Sequence, residues 1–408
     1  MMSEFWRGVL EYGAWGLAGT WCVRTTNLIK NLPTLADLSE MDWDIGPVGS
    51  ARLMVVVPAR DEAEHIGATM DALLLSDYSR MQIVAVDDRS TDATGEILDG
   101  YAALHPGRVK VIHVTELEDG WLGKTFAMQL AVEQTESEYV LFTDADVLFS
   151  PSILRRAMVY AEQSEADHLV VMPTWQVKSR GEGIVLGFLQ IFGMWAARSW
   201  RVADPKAKLD SVGVGAFNLV RRDALVEIGG LEPQRLAVLE DITLGRRIKA
   251  AGLAQRLAFA PGLVLVHWAK GMHGLVGTMT KNLYSSVNFN PLLMLGMCLW
   301  VVVFCLVPLA GLGWIWTIPP ALLVMFCMAA AYRTMGEISW IDARYGWLYP
   351  VGAVVFLYAI VRSMVVAYLI SGVRWRGTKY SLAELRRHNS PWQWVRMARG
   401  KRMANPRG

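Results

Sequence analysis

From Leu53 onward the chain alternates short runs dominated by apolar residues with longer mixed stretches. The runs are LMVVV at 53–57, QIVAV at 82–86, VKVIHV at 109–114, YVLFT at 139–143 and HLVVM at 168–172. Near-continuous hydrophobic runs of this length predict strands covered on both faces of a sheet. The stretches near 63–75, 92–104, 124–136 and 151–163 predict helices between them. Repeated strand and helix units predict an α/β domain built on a doubly wound, mostly parallel sheet. In such a sheet ligands bind outside the carboxyl ends of the strands. Pro58 to Glu62 follow the first run, Asp87 to Asp92 the second, and Asp144 and Asp146 the fourth, so one pocket can collect residues far apart in sequence.

The flanks read differently. Residues 8–23 are apolar apart from Glu11 and close on Arg24, which fits either a short membrane helix or an interfacial one. A polar connector with Pro33 and Pro47 occupies 25–50. After Asn290 three long apolar stretches follow, at 291–312, 314–332 and 347–371, the last interrupted by Arg362. These are near membrane-spanning length. The expected organisation is therefore an N-terminal segment (1–24), a connector (25–50), an α/β domain (51–290), membrane helices (291–371) and a tail (372–408).

Composition agrees with a membrane protein: 53% of residues are hydrophobic and only 19% charged. A net charge of +2 gives no bulk electrostatic sign of nucleic-acid binding. The distribution of charge says more, because ten Lys or Arg and a single acid, Glu384, follow Gly372. Such a segment fits an anionic membrane surface on the cytosolic side or, over its last ten residues, a solvated disordered tail. Two C-terminal spans would return it to the side of the α/β domain and three would not, so segment count and charge disagree. Cys22, Cys298, Cys305 and Cys327 all lie in apolar stretches, which argues against a disulfide framework or zinc site. Glu4 and Glu11 interrupt any cleavable signal.

Chemistry concentrates at the strand ends. In TDAD, Thr143 to Asp146, two carboxylates one residue apart can approach a hard cation, and that cation can neutralise a diphosphate. In VDDRSTD (86–92), Ser90, Thr91 and Asp92 suit the cap of the next helix, whereas Asp87 and Asp88 are left over as acceptors for a nucleobase N–H. PARDE (58–62) adds Arg60 and Glu62, and WLGK (121–124) adds Lys124, a point charge suited to phosphate. LEDITLGRRIKAAG (239–252) reads as a helix with acids first and bases later, ending at Gly252; the macrodipole favours that order. Its functional reading makes Asp241 the general base for an acceptor hydroxyl. VGVGAFNLVRR (212–222) is no dinucleotide fingerprint, because its glycines precede a strand, and GEGIVLG (181–187) has the wrong spacing.

Taken in order, P-x-R-x-E, V-D-D-x-S-T-D, W-x-G-K, T-D-A-D and E-D-x-x-L-G resemble the family 2 glycosyltransferases of the GT-A fold, over about half of the chain. The flanking apolar segments and WRGTKY look like its lipid-modifying branch, which includes ceramide glucosyltransferases and bacterial carotenoid or hopanoid-associated enzymes. The resemblance implies that Pro58, Arg60, Glu62 and Asp88, with Asp87 beside them, line the base and ribose of a nucleotide-sugar, such as a UDP-sugar. It further implies that Lys124 and Asp144 meet the ribose-diphosphate end, that Asp146 with Asp144 holds Mg²⁺ or Mn²⁺, and that Asp241 deprotonates the acceptor in an inverting displacement. Glu240, His267 and Lys270 are candidates for acceptor or diphosphate contact. The Q-x-x-R-W string of processive synthases is missing, which favours a lipid acceptor and few added sugars over a polysaccharide product or a non-catalytic scaffold. The implied location is the cell membrane, with the catalytic domain cytosolic. The apolar stretch 183–200 is either a buried helix or an interfacial one.

Overall fold

Residues 53–57 are almost completely buried, as a strand covered by helices on both sides requires. The computed structural model describes residues 4–45, 51–134, 136–376 and 378–388. Its strands in chain order are β1 (Ala36–Asp37), β2 (Leu53–Ala59), β3 (Met81–Asp88), β4 (Val109–Val114), β5 (Tyr139–Phe142), β6 (Val147–Phe149), β7 (His168–Met172), β8 (Thr174–Trp175), β9 (Asn218–Arg221), β10 (Gln255–Phe259), β11 (Val264–Val266), β12 (Gly372–Trp375) and β13 (Thr378–Ser381). The helices are α1 (Glu4–Asn31), α2 (Ile66–Leu74), α3 (Thr94–Leu104), α4 (Gly123–Glu133), α5 (Ile153–Gln163), α6 (Arg180–Ala196), α7 (Arg222–Glu227), α8 (Glu240–Ala251), α9 (Gly271–Ser286), α10 (Pro291–Trp300), α11 (Val307–Ala310), α12 (Ile318–Ser339), α13 (Tyr349–Leu369) and α14 (Leu382–His388).

These elements form two compact units that cut across chain order. A sheet unit takes 35–176, 199–267 and the described residues from 383; a helical unit takes the described residues up to 34, 177–198 and 268–382. The expected continuous domain over 51–290 thus differs from the observed partition: α6 and α9 belong with the helices, and the connector from Leu35 belongs with the sheet.

In the sheet unit the strand order is β1-β10-β7-β9-β5-β2-β3-β4. All neighbours are parallel except β9, which runs antiparallel between β5 and β7. A second sheet, β6-β11-β8, lies beyond the end of β5. The five strands expected from hydrophobic runs are all present, as are the helices over 63–75, 92–104, 124–136 and 151–163. Helix α8 stops where expected, with Gly252 at φ +84°, the left-handed cap that glycine adopts without penalty. The connector is held by Arg156 of α5, whose buried guanidinium donates to the carbonyls of Leu38, Ser39 and Glu40 at 2.9, 3.1 and 2.8 Å.

In the helical unit, the segments Pro291–Gly313, Ile318–Ser339 and Ala343–Leu369 are long and apolar enough to cross a membrane. Val301–Leu306 widens into a π turn just before Pro308. Proline carries no N–H for the carbonyl four residues back, which is Phe304. Trp21 of α1 supplies the missing donor, its Nε1 lying 2.9 Å from that oxygen. In an apolar surrounding such a carbonyl has no water to turn to. After α13 the basic segment is not a featureless tail: β12 and β13 form a hairpin, and Lys281 of α9 sits 3.4 Å over the ring of Trp375. Residues 389–408, with five of the tail's ten Lys and Arg, lie outside the described part.

Candidate active site

The loops after β2 and β3 interlock. Asp61 and Arg89 both take left-handed backbone, at φ +52° and +56°, uncommon for residues with a side chain. What holds them is a set of loop-to-loop hydrogen bonds. Thr91 N donates to Asp61 Oδ1 at 2.7 Å, Ala63 N to Asp92 Oδ2 at 3.0 Å, and Glu62 N to Thr94 Oγ1 at 2.8 Å. Asp92 also accepts from Thr94 N at 2.9 Å, so it serves the start of α3 as expected.

Asp87 and Asp88, at the end of β3, are both buried and already partnered. His113 Nδ1 is 3.0 Å from Asp87 Oδ2, and the amide of Ser90 donates to Asp87 Oδ1 at 3.1 Å. Arg89 Nε lies 2.7 Å from Asp88 Oδ1, with Arg60 on the other oxygen at 3.9 Å. The hydrogen bonds from His113 to Asp99 and Asp87 raise the imidazole's pKa. Sequence spacing points to neither His113 nor Arg89, because each acts through tertiary pairing. Pro58 lies within β2, paired in register with Val86.

Lys124, in the first turn of α4, bridges two of the other segments. Its ammonium is 2.5 Å from Asp144 Oδ1 and also pairs with Glu240. Burial alone would lower the Lys124 pKa, but the carboxylates of Asp144, Glu240 and Asp241 outweigh it and raise it. The WLGK turn is fixed from behind by the carbonyl of Arg235, which accepts from Leu122 N at 2.8 Å and Thr125 Oγ1 at 2.7 Å.

Glycines let these pieces meet. A Cβ on Gly215 would stand 2.5 Å from Asp144 Oδ2; one on Gly123 would collide with the Asp88 carboxylate, and one on Gly213 with the Asp241 carbonyl. The VGVG stretch therefore serves close approach of backbone to acids. The structure brings Arg60, Glu62, Asp88, Lys124, Asp144, Asp146, Glu240 and Asp241 into one cluster. Half-buried His267 closes β11 in the same unit, whereas Lys270 is exposed at the start of α9 in the helical unit.

The acids crowd one another. Burial, then Asp144 and Glu62, push the Asp146 carboxyl up to about 7. Burial and Glu240 likewise raise Asp241, against the pull of Lys124. A divalent cation between Asp144 and Asp146 would relieve that repulsion with hard oxygen ligands, so the residues fit such an ion. Among the described residues no group of three or more His, Cys, Asp or Glu that could hold a metal ion is preassembled.

A mostly parallel sheet with this acid cluster at its carboxyl edge defines a GT-A glycosyltransferase. The profile described as "Glycosyltransferase like family 2" matches residues 51–280, and the chain belongs to that family. Among curated proteins it is similar to 4,4'-diaponeurosporenoate glycosyltransferase of Staphylococcus haemolyticus, at 24% identity over 64% of this chain and 68% of that one. The Staphylococcus aureus protein of the same name is 21% identical over 81% of this chain and 89% of its own. Among solved structures, mannosyltransferase PcManGT from Pyrobaculum calidifontis, in complex with GDP-Man and Mn²⁺, shares the fold: TM-score 0.53, 18% identity, 88% of this chain and 99% of that chain.

Proposed function

We propose that the protein transfers a single sugar from a nucleotide-sugar, such as a UDP-sugar, to a hydroxyl of a membrane lipid, with inversion at the anomeric carbon and with its catalytic unit in the cytosol. The observation that carries this reading is Lys124 held between Asp144 and Glu240, with Asp146 and Asp241 alongside. It joins a phosphate-binding cation, a pair of metal-suited carboxylates and a candidate base in one site. Relatives named for a diaponeurosporenoate acceptor, and the apolar helices of this chain, support a lipid acceptor.

Arg60, Glu62, Asp87 and Asp88 position the nucleoside, with Pro58 shaping the strand end beneath it. Lys124 meets the diphosphate. Asp144 and Asp146 would hold Mg²⁺ or Mn²⁺, which when bound would supply charge neutralisation for the leaving nucleoside diphosphate. Asp241 takes the proton of the attacking hydroxyl, a role suited to a carboxylate whose pKa is raised toward neutrality. His267 and Lys270 remain candidates for acceptor contact.

Membranes carrying the protein, incubated with radiolabelled nucleotide-sugars and Mn²⁺, should place label in the organic extract. Asp241→Asn should lower that transfer on the order of 100-fold or more while nucleotide binding persists. Label in a water-soluble polymer, or an unchanged rate in the variant, would overturn the reading.

A further inference from the structure

A carboxylate buried at a strand end carries a desolvation cost that a neighbouring cation offsets. At the end of β3, Asp88 has Arg89 and Arg60 beside it, whereas the basic group facing Asp87 is His113 of β4. Strand register sets that pairing, because His113 stands directly opposite Asp87. Its Nδ1 is 3.0 Å from Asp87 Oδ2, and its Nε2 is 2.9 Å from Asp99 Oδ1 on α3. Helix α3 starts flush against the pair: a Cβ on Gly95 would stand 2.8 Å from Asp87 Oδ2 and 3.5 Å from His113 Cε1.

These contacts fix the charge of the ring. An ionised carboxylate only accepts hydrogen bonds, and a neutral imidazole donates from one nitrogen alone. With a carboxylate oxygen within 3.0 Å of each ring nitrogen, both nitrogens must carry a proton, which makes the ring an imidazolium. The surroundings favour that form. The strand and helix packed against β4 bring Asp87 and Asp88 from β3, and Glu96, Asp99 and Tyr101 from α3, with no cation among them. The Tyr101 hydroxyl is taken up by Asp71 at 2.6 Å, and Lys110, on the same strand as His113, donates to Gln134 at 2.7 Å.

The ring holds more than one carboxylate in place. Asp87 Oδ1 accepts from Ser90 N at 3.1 Å, and Ser90 Oγ accepts from Asp61 N at 3.1 Å. A continuous chain therefore runs from His113 through Asp87 and Ser90 to the loop that carries Arg60 and Glu62. Asp61 and Arg89 lie on this chain with left-handed backbone, a conformation that persists only where the surroundings impose it.

We propose that His113 is a positioning residue for the nucleotide-sugar: a protonated strut between Asp87 and Asp99 that keeps the loops after β2 and β3 in the shape that receives the nucleoside. The proposal rests on the donor reading of the cluster and adds a control to it. The hydrogen bonds to Asp99 and Asp87 raise the ring's pKa above its ordinary 6.5. The strut is therefore complete below the raised value and is lost as pH rises through it, and donor affinity falls in the same direction.

The test uses the full chain, solubilised, with ¹⁵N-labelled histidine. At pH 7 the His113 ring, assigned by its disappearance in His113→Leu, should show two protonated nitrogens. A neutral ring at that pH would overturn the proposal, and this readout needs no donor. The second readout is calorimetric affinity for UDP-, GDP- and dTDP-sugars with Mn²⁺ between pH 6 and 9. His113→Leu should weaken the donor that binds on the order of tenfold at pH 6. His113→Arg carries a cation that does not titrate and leaves Asp146 untouched, so the ratio of natural chain to this variant isolates His113. That ratio should fall as pH rises, and Asp99→Asn should move the fall to lower pH. A ratio flat in pH, or equal affinities for the natural chain and a folded His113→Leu, would sink the role of His113 alone. Binding of no donor by the natural chain would sink the donor reading on which it rests.

Discussion

Single residues in the cluster are constrained by distance more than by type. Gly215→Ala would place a methyl 2.5 Å from Asp144 Oδ2, which must then move away from Lys124. A displaced carboxylate in a positioned site costs on the order of 100-fold in rate. Transfer assays should show that loss with an unchanged unfolding temperature of the solubilised protein. His168 offers a pH-dependent counterpart remote from chemistry. It is fully buried, with Nε2 3.0 Å from Asn218 Oδ1 and Nδ1 2.8 Å from Gln255 Nε2. That arrangement fits a neutral ring donating to Asn218 and accepting from Gln255. Burial lowers its pKa to about 4, below the ordinary value of 6.5. The unfolded chain therefore binds the extra proton first, so this contribution is intact above pH 6.5 and is lost as pH falls toward 4, by about 3 kcal/mol. Apparent unfolding temperatures between pH 7 and 4.5 should drop more steeply for the natural chain than for His168→Asn.

The gathering of the acids and Lys124 was partly legible from spacing alone. Asp144, Asp146, Lys124 and Asp241 stand at strand ends and helix starts, where periodicity marks them. His113 and Arg89 were not legible, because a carboxylate's partner is set by tertiary pairing. The glycines of VGVG were readable only as no dinucleotide fingerprint, and the fold shows that they admit Asp144 and the backbone of Asp241.

At the scale of elements, hydrophobic runs located β2, β3, β4, β5 and β7 because both faces of each strand are covered. The antiparallel insertion of β9 was not readable, since strand direction leaves no mark on composition. The same limit applied to α6, which periodicity cannot assign to one unit or another. Two anchors carry predictions here. Arg156→Met leaves the carbonyls of Leu38, Ser39 and Glu40 without their donor and should destabilise the sheet unit by about 3 kcal/mol, read by denaturant unfolding. Trp21→Phe strands the Phe304 carbonyl beside Pro308 and should cost about 1–2 kcal/mol, lowering the unfolding temperature in detergent. Adding Pro308→Ala restores a backbone N–H to that carbonyl and should recover part of the loss; no recovery would show that Trp21 matters through packing alone.

The whole molecule combines a GT-A sheet unit with a helical unit whose segments interleave with it in sequence. That interleaving explains why chain-order boundaries and compact units differ: α6 and α9 leave the sheet unit and the chain returns after α6 at 199. Binding of the donor is the central claim on which every role in the cluster depends. The most direct measurement is calorimetric titration of the solubilised protein with UDP-, GDP- and dTDP-sugars, with and without Mn²⁺, beside Asp146→Asn. Metal-dependent binding of one donor, weakened at least about tenfold by that substitution in a folded protein, is the expected result. Binding of none by the folded natural chain, or binding indifferent to both metal and Asp146, would contradict the account.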